Sequence, residues 1–306
     1  MIDSILSKAK LHGDRSARPP AAVELTPEGA LAAALPGPGQ PPVYAFSPLP
    51  GGALIPGIGE PNVRMPEAVA NAIRSALDRV SPRTRAVTLV LPDPVVRVFV
   101  LDFESIPTKP AEALQVLRFR LRKMVPFDVE HTGLSYQVLS QSKDECKVLA
   151  VVLPIAILEE YEAAVQAAGY EPGAVLPSSL ATLEAIDLLE AVLIANLSGP
   201  ALTTTIANGN DLLLYRTLDL PQEPGQRLSE IQRGVAVAAA YYEDKLGARP
   251  YKLHYAGSGE AAEFAQWLNE PELTVVDLVT RPETGAMTAL GENSVAGVAG
   301  ALAGVR

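Results

Sequence analysis

Cysteine is nearly absent from this chain. Cys146 stands alone, so no internal disulfide can form, and a reducing compartment suits the protein. Set in an apolar, strand-like run, it reads as packing rather than as a nucleophile. Aromatic residues make up 5% of the sequence and Trp267 is the single tryptophan, so alanine, leucine and valine must fill the interior. Histidine occurs only as His12, His131 and His254, too far apart for metal-ligand spacing, and His254 reads as a core residue of an apolar strand. No apolar run approaches the ~20 residues that span a bilayer. Met1-Ile2-Asp3-Ser4-Ile5-Leu6 lacks the long apolar stretch of a signal peptide, so a cytoplasmic protein is expected. Positive charge is in deficit, with 25 Lys and Arg against 35 Asp and Glu and a net charge of −10, which argues against broad nucleic-acid binding. There is no Walker A loop, nucleophile elbow or zinc knuckle.

What is present suffices for a large core: 306 residues, 48% of them apolar. Residues 1–12 place Ile2, Ile5, Leu6 and Ala9 at helical spacing near Lys8, Lys10 and His12, a pattern shared by frayed terminal helices and short amphipathic feet. Residues 22–33 predict a hairpin turning at Thr26-Pro27-Glu28-Gly29, and 43–46 a short strand between Pro- and Gly-rich loops. Pro66 opens a helix over 66–80 with Val69, Ile73, Leu77 and Val80 in one stripe. Two β runs follow, joined at Pro92-Asp93-Pro94, with Asp93 and Glu104 read as strand ends. Then come a helix over 109–124, strands over 133–140 and 146–153, and a helix over 154–169 stopped by Gly169. A helix over 178–189 is expected to be capped by Ser178-Ser179. Strands over 191–196, 201–207 and 211–216, the last two turning at Asn208-Gly209-Asn210, open a second half. It continues with a long helix over 226–246, a strand over 251–256, Gly257-Ser258-Gly259, a helix over 260–269, a strand over 273–277 and a helix over 293–304. Two halves, each opened by a hairpin, predict a duplicated α/β architecture rather than a simple doubly wound sheet.

The run TLVLPDPVVRVFVLDFESIP, the following EALQVLRFRLRKMVPFDVEHTGLSYQVL, the helix-and-glycine run EEYEAAVQAAGYEPGAVLPSSLATLEAI, the hairpin NGNDLLLYRTLDL and the closing AGVAGALAGVR occur in the order found in PilM proteins. The chain resembles that family of type IV pilus assembly proteins over residues 20–306. The resemblance implies an α/β fold of actin-like (ribonuclease H-like) type, with two lobes and an inserted subdomain. After an N-terminal segment (1–20), subdomain 1A takes 21–83, 156–188 and 280–306, subdomain 1B takes 84–155 and domain II takes 189–279. It also implies ATP binding between the lobes and a partner, the cytoplasmic N-terminal peptide of a PilN-like single-pass membrane protein, held in a groove of 1A and 1B.

Phosphate-binding hairpins of this fold typically read Asp-x-Gly, so that backbone N–H groups reach the phosphates and the aspartates organise Mg²⁺. Here the first turn reads Glu24-Leu25-Thr26-Pro27-Glu28-Gly29; Pro27 removes a donor and the glutamates repel phosphate. In the second, Asn196 stands where the family has Asp, while Ser198, Gly199 and Thr203 remain able to face a phosphate. Gly257 and Gly259 occupy the place of an adenosine loop. No cofactor is expected, with ATP and Mg²⁺ the alternative. Arg118, Arg120, Arg122 and Lys123, with Arg97, form a basic patch on an acidic chain; the partner groove is expected along a β edge near Val96, Val98, Arg118 and Phe119. The expected function is a scaffold of an inner-membrane pilus or secretion platform, peripheral to the membrane through its partner, with self-association open. The rivals are an actin-like ATP switch or ATPase and an FtsA-like membrane tether. The end VAGVAGALAGVR suits packing inside 1A better than membrane insertion.

Overall fold

The computed structural model describes residues 18–37, 39–59, 61–186, 189–209, 211–280, 290, 293–303 and 305. The N-terminal pattern of residues 1–12 and residues 187 and 188 of the predicted 178–189 helix lie outside them.

The first lobe is built on β1 (Ala21–Thr26), β2 (Gly29–Ala34), β3 (Val43–Pro48), β4 (Ala86–Leu91) and β8 (Glu171–Pro177), in the order β3-β2-β1-β4-β8. β1–β2–β3 is an antiparallel meander, and β4 and β8 join in parallel. β1 and β2 read as almost unbroken small apolar runs because both faces are covered. The helix α1 (Pro66–Val80) buries Val69, Ile73, Leu77 and Val80 on one face. The helices α4 (Ser178–Leu183) and α7 (Ala296–Ala303) cover the other. α7 crosses α4 so closely that a Cβ on Gly300 would overlap the Ala181 carbonyl, which is why this helix is made of alanine and glycine.

The second lobe repeats the design. β9 (Val192–Ser198), β10 (Ala201–Asn208) and β11 (Asp211–Asp219) form the meander, and β12 (Lys252–Tyr255) and β13 (Thr274–Asp277) add in parallel, in the order β11-β10-β9-β12-β13. The long α5 (Pro224–Leu246) and short α6 (Ala261–Leu268) pack Ile231, Val235, Ala238 and Phe264 onto this sheet. His254, read as a core residue, is half-buried, and burial lowers its pKa.

Between the strands of lobe one sits an insert. Its antiparallel sheet has the order β5-β7-β6, from β5 (Arg97–Phe103), β6 (Thr132–Gln141) and β7 (Cys146–Pro154). α2 (Pro110–Leu121) lays Ala113, Leu117 and Leu121 onto a core that includes Cys146, and α3 (Ile155–Ala167) returns the chain to lobe one.

Three expectations change. The runs around Pro92-Asp93-Pro94 are not a hairpin: β4 stays in the lobe-one sheet and β5 leaves for the insert. Two prolines cannot supply the positive φ of a tight hairpin turn; the chain makes a short 3₁₀ turn over Asp93–Val95 instead. Residues 171–177, unassigned because they hold two prolines and a glycine, form β8, an edge strand where proline is tolerated. The helix after Pro177 ends at Leu183, and its serines do not cap it.

Candidate functional site in the interlobe cleft

Strand register makes the two lobes directly comparable. Thr26 pairs with Gly29 and Ser198 with Ala201, so each hairpin closes on a two-residue turn, Pro27-Glu28 and Gly199-Pro200. Three residues before each turn stand Glu24 and Asn196, which are therefore equivalent positions of the duplicated unit. Both are buried.

They meet in one polar network across the seam. The Ser178 hydroxyl donates to Glu24 Oε1 (2.6 Å), and the Asn196 side-chain NH₂ donates to Ser178 Oγ and Ser179 Oγ, each at 3.1 Å. Asp93, fully buried in the 3₁₀ turn, accepts from the Ser179 backbone N–H (3.0 Å), the Ser179 hydroxyl, the Tyr215 hydroxyl (2.9 Å) and Asn196 Nδ2 (3.3 Å). Lobe one thus contributes Glu24, Asp93, Ser178 and Ser179, and lobe two Asn196 and Tyr215. Burial raises the Glu24 carboxyl from 4.5 to about 7 against the pull of Ser178, with Asp93 adding to the rise. Burial likewise pushes Asp93 up, opposed by its Ser179 and Tyr215 donors.

The turns themselves touch. Pro27 Cγ lies 3.1 Å from the position of a Cβ on Gly199, and Arg227 Nη2 donates to the Gly199 carbonyl at 2.6 Å. The Gly29 N–H is taken by Thr26 Oγ1 at 3.3 Å, and the Ser258 N–H by the Leu197 carbonyl at 3.2 Å. The space left between Glu24, Thr26, Glu28, Asn196, Ser198 and Ser258 is about 20 Å³, room for about one water. Toward solvent the cleft widens to about 640 Å³ between Pro27, Ile55, Gly199, Arg227, Gly259 and Trp267.

Of the residues singled out for nucleotide, Asn196, Ser198, Gly199, Gly257 and Gly259 gather at this seam, but in different roles. Asn196 is spent on the network. Gly257 is packed against Tyr255 and Leu197, where a Cβ would overlap both. Gly259 borders the open mouth. Thr203, buried and paired in register with Asn196, also belongs to the seam: it shares a hydrogen bond with Thr217 on β11 (2.9 Å), and its side chain is among those that lower the Asp93 pKa. Mg²⁺-bound triphosphate does not fit the residues present: Pro27 has no N–H, two of the loop N–H groups are engaged, the Glu24 and Asp93 carboxylates are buried and held by the network, and exposed Glu28 beside them repels phosphate. Among the described residues no cluster of His, Cys, Asp or Glu could hold a metal ion.

The residues expected near a partner are separated. Val96 and Val98 are buried in the core behind β5. The Arg118 guanidinium bonds the Val129 carbonyl, Thr132 Oγ1 (3.0 Å) and the Thr132 carbonyl (3.2 Å), fixing the turn before β6. Phe119, in contrast, is 74% exposed. Asp93, Tyr215 and the true partners of Ser178 and Ser179 escaped sequence reading. The available signal was an aspartate held between prolines in an otherwise apolar crossing.

Two five-stranded sheets of identical strand order, hinged over hairpin turns, with an insert between strands of the first, settle the architecture. The fold is actin-like, the fold of PilM. A PilM from a PilM–PilN type IV pilus biogenesis complex superposes with a TM-score of 0.75 at 19% identity, over 95% of this chain and all of that one. The cytoplasmic domain of EpsL, an inner-membrane component of the type II secretion system of Vibrio cholerae, matches at 0.50 and 16% identity over 88% of this chain and 92% of its own. A Bacteroides thetaiotaomicron protein with an actin-like ATPase fold matches at 0.53 and 10% identity over 93% and 96%. No family model and no curated protein sequence matches the chain.

Proposed function

We propose that this protein is a scaffold of a type IV pilus or related inner-membrane assembly platform, that it holds the cytoplasmic tail of a PilN-like membrane protein, and that it does so without efficient ATP hydrolysis. It works at the cytoplasmic face of the inner membrane, peripheral through that partner. The observation that carries the reading is the closed seam. The PilM fold is retained over the full length of its relative, while the place between its hairpins is occupied by the protein's own Glu24–Ser178–Asn196–Asp93–Tyr215 network. A network that joins the lobes directly gives a docking platform fixed geometry with no bound ligand. Among the described residues no helix is long and apolar enough to cross a membrane, in keeping with attachment through a partner.

The division into 1A, 1B and domain II frames the docking groove. The insert sheet leaves β5 and β6 as edges, and an extended tail completes the backbone hydrogen bonds of such an edge. We place the tail along β5, with Val96 and Val98 anchoring the strand from behind, Arg118 fixing the adjoining turn and Phe119 at the exit. The test is a calorimetric titration of the full chain with a synthetic N-terminal peptide of a PilN-like protein. Saturable binding in the micromolar range is expected, and no heat at high micromolar peptide overturns the assignment. The rival reading, an ATP-driven switch, predicts instead that Mg-ATP changes the peptide affinity.

A further inference from the structure

The outer side of α2 and the turn after it carry a feature that neither the core nor the cleft uses. From Ala113 to Phe127 there is no carboxylate, in a chain with 35 of them, and Arg118, Arg120, Arg122 and Lys123 fall in this run. Arg118 is consumed by the Val129 and Thr132 backbone, and Arg122 is paired with Glu130 at 2.9 Å. Arg120 and Lys123 are exposed. Beside them stand three large apolar side chains in solvent: Phe119 at 74%, Met124 at 42% and Val116 at 37% exposure. Val116, Phe119, Arg120 and Lys123 follow one another at spacings of 3, 1 and 3, so they share one side of the helix and its exit turn. The stripe that binds the insert core is a different one: Ala113, Leu117 and Leu121.

We infer that this side of α2 rests on an anionic bilayer surface. The inference builds on the scaffold reading, which brings the insert close to a membrane through its partner's tail. Three apolar side chains are too few for the core of a stable protein interface, which covers roughly 800 Å² per partner. They are suited to entering the headgroup layer while flanking Arg and Lys stay at its charged surface. The sign is complementary. A protein of net charge −10 is repelled as a whole by anionic lipid, and this patch favours an orientation in which a positive surface faces it. Alone the patch gives weak, reversible, salt-sensitive attachment to anionic lipid; combined with a docked tail it supplies the second attachment and fixes rotation about the tail.

The test is co-sedimentation of the full chain with vesicles of phosphatidylcholine alone or with about one third phosphatidylglycerol, at low and high salt. The account expects binding to the anionic vesicles only, lost at high salt. It expects binding about thirty-fold weaker in the R120Q/K123Q variant, two cations nearest the surface being removed. Equal binding to both vesicles, no binding to either, or binding indifferent to R120Q/K123Q overturns it. So does capture of a polyglutamate peptide by the patch without vesicle binding, which makes it a site for acidic protein. Peptide titration of the same variant separates the two readings. Intact peptide affinity with lost vesicle binding is the expected result. Absent peptide binding in the unaltered chain condemns the scaffold assignment, whatever the vesicles show.

Discussion

Pro27 of the first hairpin turn lies against Gly199 of the second, its Cγ 3.1 Å from where a Cβ on Gly199 would stand, and Gly199 has φ +51. Gly199→Ala therefore meets both the proline ring and a left-handed backbone. The expected loss is about 1–2 kcal/mol. In a Pro27→Gly background the steric part disappears while the backbone part remains, so the cost of G199A falls. Urea unfolding of the four proteins of this cycle measures the coupling. Strict additivity would mean that the turns do not press on one another.

Asp93 accepts from groups on both sides of the seam. Asp93→Ala leaves the Ser179 N–H, the Tyr215 hydroxyl and part of the Asn196 amide buried without an acceptor, and about 3–5 kcal/mol of stability should go. Tyr215→Phe removes one donor alone and should cost about 1 kcal/mol. Similar losses for the two variants would show that Asp93 is not the centre of the network.

The seam should also make stability depend on pH. Glu24 titrates at about 7 in the folded protein against 4.5 ordinarily. Between those values the folded chain keeps a proton that the unfolded chain releases. Stability from this group is thus unchanged below about pH 4.5, falls as pH rises toward 7, and stays low above it, by up to about 3 kcal/mol. Asp93, raised in the same direction, adds to the trend. Glu24→Gln keeps an acceptor for Ser178 and should flatten the slope while stabilising the protein at pH 8. An unchanged slope in E24Q would assign the dependence elsewhere.

Arg118, expected near a docking surface, braces the turn before β6. Arg118→Ala should destabilise by about 1–3 kcal/mol, and Arg118→Lys should recover only part of it, since an ammonium cannot span the Val129 carbonyl and both oxygens of Thr132 with a rigid fork. Hydrogen exchange should report the loss first at Val129 to Thr132. Full stability in R118A would return this side chain to the surface.

Most of the fold was legible because its signals are local. The stripe Val69, Ile73, Leu77 and Val80 gives α1 within its observed bounds, and the two hairpins announce the duplication. What failed depends on distant partners. β8 is a strand because β4 lies beside it, and Glu171-Pro172-Gly173 gives no hint of that pairing. The break at Pro92-Asp93-Pro94 looks like any turn until Ser179 and Tyr215 arrive from 86 and 122 residues away. Ser178 and Ser179 look like caps because capping is the commonest local use of serine before a helix. At the seam, the departure of Glu24-Leu25-Thr26-Pro27 from a phosphate-binding turn could be read directly. The network that replaces it could not.

The most direct measurement is thermal unfolding of the full chain with and without millimolar Mg-ATP, since a ligand that binds only the folded state raises the midpoint by mass action. A seam closed by Glu24, Asn196 and Asp93 predicts the same midpoint in both, within a degree or so. A rise of several degrees, abolished by EDTA, would contradict it.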